Sequence, residues 1–162
     1  MLSIKHWERP DAATAGFIVP PGEGDRIPSK PNGKAKATSR NTGGLFAVHE
    51  AVLVPGEKVV RHRHNNVAEF FYVLEGEVLL QIGDEVTKAT PGTFAFSPIN
   101  SVHAFSNLGT EPARMLIVAT PPEPGEQAFE EMERMPADAD EAAWDQLNRK
   151  YGVEVVGPPL EG

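Results

Sequence analysis

The segment HRHNNVAEFFYVLEG, residues 62–76, concentrates groups that bind cations and move protons: His62 and His64 one residue apart, then Glu69 inside an aromatic and aliphatic run. The chain has only 5 histidines in 162 residues, so their pairing calls for a geometric reason. On a β-strand successive side chains point to opposite faces, which puts His62 and His64 on one face and Arg61 and Arg63 on the other. Asn65-Asn66 is turn material, and the following EFFYVLEG reads as a second strand with Glu69, Phe71 and Val73 sharing a face. A His-x-His pair by itself is a weak signal. A carboxylate in an otherwise uncharged strand is a stronger one, because burying it unpaired is costly and a bound cation is one of the few ways to avoid that cost. The segment PGTFAFSPINSVHAFSN offers a fourth donor, His103, which begins a strand after a Pro-x-Asn turn, with Phe105 at the same parity.

The spacing of these residues resembles the two motifs of the cupin superfamily. Gly56, five residues, His62-x-His64, four residues, Glu69, six residues and Gly76 are similar to the first. Gly92, five residues, Pro98-x-Asn100, two residues, His103, three residues and Asn107 are similar to the second. The family usually has glycine where Asn100 stands; asparagine is the other residue suited to the left-handed conformation such a turn requires. The motifs span residues 56–107, are separated by a 15-residue loop, and with their flanking strands extend the likeness over residues 45–120. The resemblance implies an all-β fold, a single jelly-roll barrel (double-stranded β-helix) holding one divalent transition metal through His62, His64, Glu69 and His103. Three imidazoles and a carboxylate suit Fe, Mn, Co, Ni, Cu or Zn, and ligand type does not choose among them.

The elements that must position these groups are short. From Leu45 the chain alternates apolar runs with Pro, Gly and Asn: LFAVHEAVLVPG, EFFYVLEGEVLLQIG, TFAFSP, HAFSN and RMLIVAT. Six or more strands at that spacing predict a sandwich or small barrel over residues 43–120. Residues 1–42 read as an N-terminal arm draped on the barrel, in which GFIV could add an edge strand, Trp7 and Phe17 act as anchors and His6 is solvent-exposed. Residues 121–162 read as a helical extension and tail. Phe129, Met132 and Glu133 fall at helix spacing before Pro136, and Asp138 can cap a second helix whose Trp144, Leu147 and Tyr151 form one stripe on the outer sheet before Gly152. Phe71, Val73 and Phe105 share the parity of the proposed ligands and either line a cavity or fill it. In TFAFSP the small Ala95 and Ser97 alternate with Phe94 and Phe96; a small pair facing inward would widen the cavity. His49 has the parity of Ala47 and Ala51 and faces either the lumen or the outside.

Composition narrows the partners. Without cysteine there are no disulfides or thiolate ligands. The formal net charge is −8: residues 1–120 carry 12 acidic and 12 basic side chains, residues 121–162 carry 11 and 3. The excess thus belongs to the tail, read as a solvated acidic face, and no basic patch points to nucleic acid. The charged start MLSIKHWERPD and the lack of any run of about 20 apolar residues predict a cytoplasmic protein without membrane partners.

The run from Pro91 to Pro122, the two helices and the ending KYGVEVVGPPL resemble the single-barrel cupins grouped with quercetin 2,3-dioxygenase. That likeness implies a homodimeric metal-dependent dioxygenase that cleaves an enolic or phenolic small molecule with O2, with Glu69 as ligand and possible base. The same site would equally serve an isomerase, cyclase or decarboxylase that consumes no O2, or a barrel that binds or senses a small molecule without reaction.

Overall fold

The computed structural model describes residues 15–161, so His6 and Trp7 lie outside the described residues. In chain order the elements are β1 (Asp25–Ile27), β2 (Lys30–Ala37), α1 (Ser39–Thr42), β3 (Ala47–Leu53), β4 (Val60–His64), β5 (Ala68–Glu75), β6 (Val78–Ile82), β7 (Glu85–Ala89), β8 (Phe94–Ser97), β9 (His103–Ser106), β10 (Ala113–Thr120), α2 (Glu123–Arg134), α3 (Glu141–Lys150) and β11 (Val153–Pro159). Every strand pairing is antiparallel. A six-stranded sheet runs β1-β2-β3-β10-β5-β8 and a five-stranded sheet runs β11-β4-β9-β6-β7. This is the all-β jelly roll expected, with short C-terminal helices. None of the helices is long and apolar enough to cross a membrane.

Period-two patterning decides which face of each strand is buried. On β10 the residues Ala113, Met115, Ile117 and Ala119 face inward, opposite Leu53, Ala51, His49 and Ala47 of β3. On its other side β10 aligns Met115 with Val73, Ile117 with Phe71 and Ala119 with Glu69. The core forms where Leu53, Phe71, Val73, Val78, Leu80, Ala89, Ala113 and Met115 meet between the sheets. The inward-facing side chains of the adjoining stretch, among them His49, Ala51, Phe105 and Ile117, are only half-buried. One part of the barrel is therefore packed solid and the other is open. On β8 the small pair does face inward, since Ala95 lies opposite Phe71 and Ser97 opposite Glu69, and Phe94 and Phe96 stand exposed on the outer face.

The chain ends depart from the sequence expectation. GFIV forms no strand; the edge of the six-stranded sheet is instead the hairpin β1–β2, with Lys34 and Ala35 set against Glu50 and His49 of β3. KPNGKAKA lacks the apolar alternation that marks a strand, and its small Ala35 and Ala37 are buried by the sheet they join. At the other terminus the tail returns as β11 and pairs with β4, Val153 opposite His64 and Val155 opposite His62. The helices lie where expected, but the cap of α3 is Asp140, whose carboxylate accepts the Ala143 N–H at 2.9 Å, rather than Asp138. Within the expected stripe Leu147 is buried, whereas Trp144 is exposed.

Candidate metal centre and adjoining cavity

The five-stranded sheet supplies three imidazoles. His62 and His64 project from β4, and His62 stands directly opposite His103 of β9. Their ring centroids lie 4.3 Å apart for His62 and His103, 5.0 Å for His62 and His64, and 5.2 Å for His64 and His103. Glu69 reaches in from β5 of the other sheet, with Oε2 at 2.8 Å from His103 Nε2 and 3.5 Å from His64 Nε2. One donor atom from each of these four residues falls within 4.8 Å of the others. The structure thus brings together all four side chains singled out in the sequence.

Hydrogen bonds orient the rings. His62 Nδ1 lies 2.8 Å from the Val60 carbonyl, which can only accept, so the neutral ring carries its proton on Nδ1 and its Nε2 lone pair is free. His103 Nδ1 lies 3.2 Å from the Ser101 carbonyl and 3.0 Å from Ser97 Oγ, which fixes the same tautomer. His103 Nε2 is then left buried with no hydrogen bond, although a carboxylate oxygen stands 2.8 Å away. A lone pair aimed at an anionic oxygen at that distance is repulsive unless a cation lies between them. The donor set, its tautomers and the orphaned nitrogen fit a divalent metal.

The protonation states agree with that fit. Burial, reinforced by the neighbouring His103 and His64, pushes His62 down to about 4, so the ring is neutral near pH 7. Burial pushes the Glu69 carboxyl up, but positive charge at His103 and His64 holds it below the ordinary carboxylate range, and a cation bound between those rings and the carboxylate would act in the same direction. With His62 neutral and Glu69 ionised, the cluster offers a cation a free imidazole nitrogen and an anionic oxygen.

Turns brace the ligand strands. Asn100 takes the left-handed conformation expected of it (φ 68°), and its N–H donates to the His64 carbonyl at 2.7 Å. Gly76 (φ 76°) passes so close to the next strand that a Cβ would sit 2.9 Å from Ala113 and the Pro112 carbonyl. Asn107, fully buried, donates from Nδ2 to the Leu53 and Glu111 carbonyls at 2.9 and 2.8 Å. Gly152 (φ 77°) lies against Asn65 and Asn66, and its carbonyl accepts the Asn65 N–H at 2.9 Å. Sequence reasoning missed this last brace because it depends on β11, whose pairing with β4 is remote in the chain.

A cavity of about 140 Å³ opens between the sheets under the β1–β2 hairpin and α2. Its wall includes His49, Ala51, Leu53, Phe105, Ile117 and Phe129. Of the residues singled out as substrate pocket, Phe105 lines this cavity. Phe71 and Val73 belong to the packed core, Ala95 packs against that core, and Ser97 holds His103. His49, whose direction was open in the sequence, faces inward: its ring meets Phe129 at 5.7 Å.

An antiparallel jelly roll carrying a three-histidine, one-carboxylate centre defines a class of metal-binding barrel proteins. Residues 49–119 match the family model for the cupin domain, and this part of the chain is a cupin domain. It is 31% identical over 115 residues, 70% of its length, to quercetin 2,3-dioxygenase of Bacillus subtilis (strain 168). It is 35% identical over 77 residues, 48% of its length, to 5-nitrosalicylic acid 1,2-dioxygenase of Bradyrhizobium sp. The matches cover 34% and 36% of those two proteins. Among solved structures KdgF from Halomonas sp. is similar in fold, with a TM-score of 0.54 at 17% identity over 65% of this chain and 94% of that one.

Proposed function

We propose that this protein is a metal-dependent dioxygenase acting on an enolic or phenolic small molecule, with His62, His64, Glu69 and His103 as metal ligands. The observation that carries the reading is the buried His103 Nε2, free of hydrogen bonds and facing the Glu69 carboxylate across the cluster. Bound there, a redox-active divalent metal supplies Lewis acidity toward an enolic oxygen and one-electron chemistry toward O2. The residues do the rest. Val60 and Ser101 hold the imidazole tautomers, Phe71 seals one side of His103, and Glu69 is kept ionised as a ligand that can accept the substrate's hydroxyl proton. The names of the two dioxygenases to which the chain is similar support this choice over chemistry without O2.

Elemental analysis followed by aerobic and anaerobic turnover with small enols and phenols tests the reading. Copper, iron, manganese, nickel or cobalt with substrate-dependent oxygen uptake is expected; turnover that ignores oxygen overturns it. His62→Ala and His103→Ala should empty the site, and Glu69→Gln should retain some metal while losing activity. Undiminished turnover by Glu69→Gln removes the proton-accepting role.

A further inference from the structure

The cavity between the sheets has an apolar body formed by Ala51, Leu53, Phe105, Ile117 and Phe129, and three polar groups that protein chemistry leaves available. Lys30, at the start of β2, holds its ammonium 5.8 Å from the centre of the Phe129 ring and has no carboxylate partner among the described residues. Ser29 lies in the wall, and its hydroxyl is buried with no hydrogen-bond partner. Neither ring nitrogen of His49 bonds to protein among the described residues. Its imidazole is held below its ordinary pKa by burial and is therefore neutral, able to donate from one nitrogen and accept at the other. His49 lines the cavity with its ring against Phe129, and it is near enough to the cluster for the Glu69 charge to act on it.

Ser29 is informative for a second reason. It is the second residue of a two-residue turn, Pro28-Ser29, and its φ is 58°. Glycine or asparagine takes that conformation at less cost than serine. A serine kept in a strained turn, with its hydroxyl buried and unpaired, carries two penalties that a ligand oxygen at the wall would relieve. The carboxylate in the wall, Glu57, accepts the Val54 N–H at 3.1 Å, and Glu133, which reaches the Ser29 N–H at 3.4 Å, is paired with Arg26, so neither forms an ion pair with Lys30.

Size limits the occupant. An apolar cavity of about 150 Å³ accommodates one benzene ring, and this one is about 140 Å³. A single ring fills that space, and a three-ring flavonol would extend beyond its mouth.

We propose that this cavity is the recognition site for a small conjugated acid of one ring or equivalent size: Lys30 and Ser29 hold its carboxylate, the apolar wall holds its body, and His49 meets a neighbouring hydroxyl or enol oxygen on the side of the metal centre. The assignment rests on the function proposed above for the choice of an oxygenated substrate. The anion preference belongs to residues outside the metal cluster and is measurable without turnover.

The test is a calorimetric titration of metal-loaded and chelator-treated protein with 2-hydroxybenzoate, its methyl ester and quercetin. Wild type should bind the acid about tenfold more tightly than the ester, as expected for one charge-assisted contact, and should bind quercetin more weakly than either. Lys30→Met and Ser29→Gly should each reduce affinity for the acid severalfold and leave the ester and the metal content unchanged. Ser29→Gly should also melt at the same or a higher temperature, because it relieves the turn; a purely structural serine would not couple that gain to weaker acid binding. Equal affinity for acid and ester, quercetin binding as tightly as the single ring, an unchanged preference in Lys30→Met, or no binding of the acid overturns the assignment. If the protein retains no metal but still prefers the acid, the dioxygenase reading fails while this one stands.

Discussion

Ser97→Ala tests how the barrel aims its third histidine. Ser97 Oγ lies 3.0 Å from His103 Nδ1 in a fully buried position, and the Ser101 carbonyl stands 3.2 Å from the same nitrogen. Removing the hydroxyl leaves one of two groups to hold the ring. Partners of this kind typically contribute about 10- to 100-fold to metal affinity. With Ser101 still in place the lower end is expected: about tenfold weaker binding, or roughly 1.4 kcal/mol.

The control is Ser106→Ala on β9, the strand that carries His103. Ser106 is equally buried and donates to the Leu160 carbonyl at 3.2 Å, away from the cluster. Ser106→Ala removes one buried hydrogen bond, and Ser97→Ala removes one buried bond and a longer one to the Ser101 carbonyl at 3.5 Å, so each should cost about 1 kcal/mol of stability in the metal-free protein, or about 2–4 °C in Tm. The two variants should therefore melt alike and differ in metal affinity, measured by competition with a chromophoric chelator and circular dichroism. If Ser97→Ala binds metal as tightly as wild type, or Ser106→Ala loses as much affinity, the orienting role of Ser97 is refuted.

Three further outcomes follow from the geometry. Gly152→Ala should destabilise the fold by roughly 2–3 kcal/mol, since its Cβ would overlap the Asn65 and Asn66 side chains in a left-handed backbone, and metal affinity should fall with it; an unchanged melting curve would show that the turn after His64 does not lean on the tail. Burial pushes the Glu50 carboxyl up, but Lys36 and Arg114 pull it below its ordinary value, so its contribution to stability is complete above the unfolded pKa near 4.5 and is lost as pH falls through the lower folded value. The Tm gap between wild type and Glu50→Gln should accordingly close on acidification below about pH 4.5, and a gap independent of pH would refute the pairing. Light scattering should give twice the 17.5 kDa chain mass, with Phe94→Glu returning the monomer. Edge strand β8 beside the exposed Tyr72, Phe94 and Phe96 gives a second copy both an unpaired strand edge and an apolar face, and a monomeric wild type would refute the pairing.

The ligands were readable in the sequence because strand parity is local information. Two residues of spacing suffice to say that His62 and His64 look the same way, and the motif glycines and Asn100 mark turns through backbone preferences carried by single residues. His49 was not readable in that way. Its neighbours at equal parity, Ala47 and Ala51, are small enough for either face, and only the register that places His49 beside Ile117, itself opposite the buried Phe71, settles the direction. The β1–β2 hairpin and β11 were invisible for a different reason: their stability comes from pairing with β3 and β4, KPNGKAKA holds no β-branched or aromatic residue, and the valines of VEVVGPP run straight into Gly and Pro, which mark a strand's end.

The acidic tail shows what such long-range pairing does for the site. Read by composition, residues 121–162 form a solvated negative face, but many of their carboxylates have specific partners, among them Glu126, which accepts the Ser39 N–H, Glu131, which binds Lys150 and Tyr151, Glu133, which binds Arg26, and Glu154, which binds Arg63. Exposed ion pairs contribute little energy one at a time. Their placement matters more than their sum, because they fasten α2 over the hairpin that carries Ser29 and Lys30 and hold β11 along the strand that carries His62 and His64. The tail charge thus fixes register, joining the cavity mouth and the metal ligands to a part of the chain that contains neither.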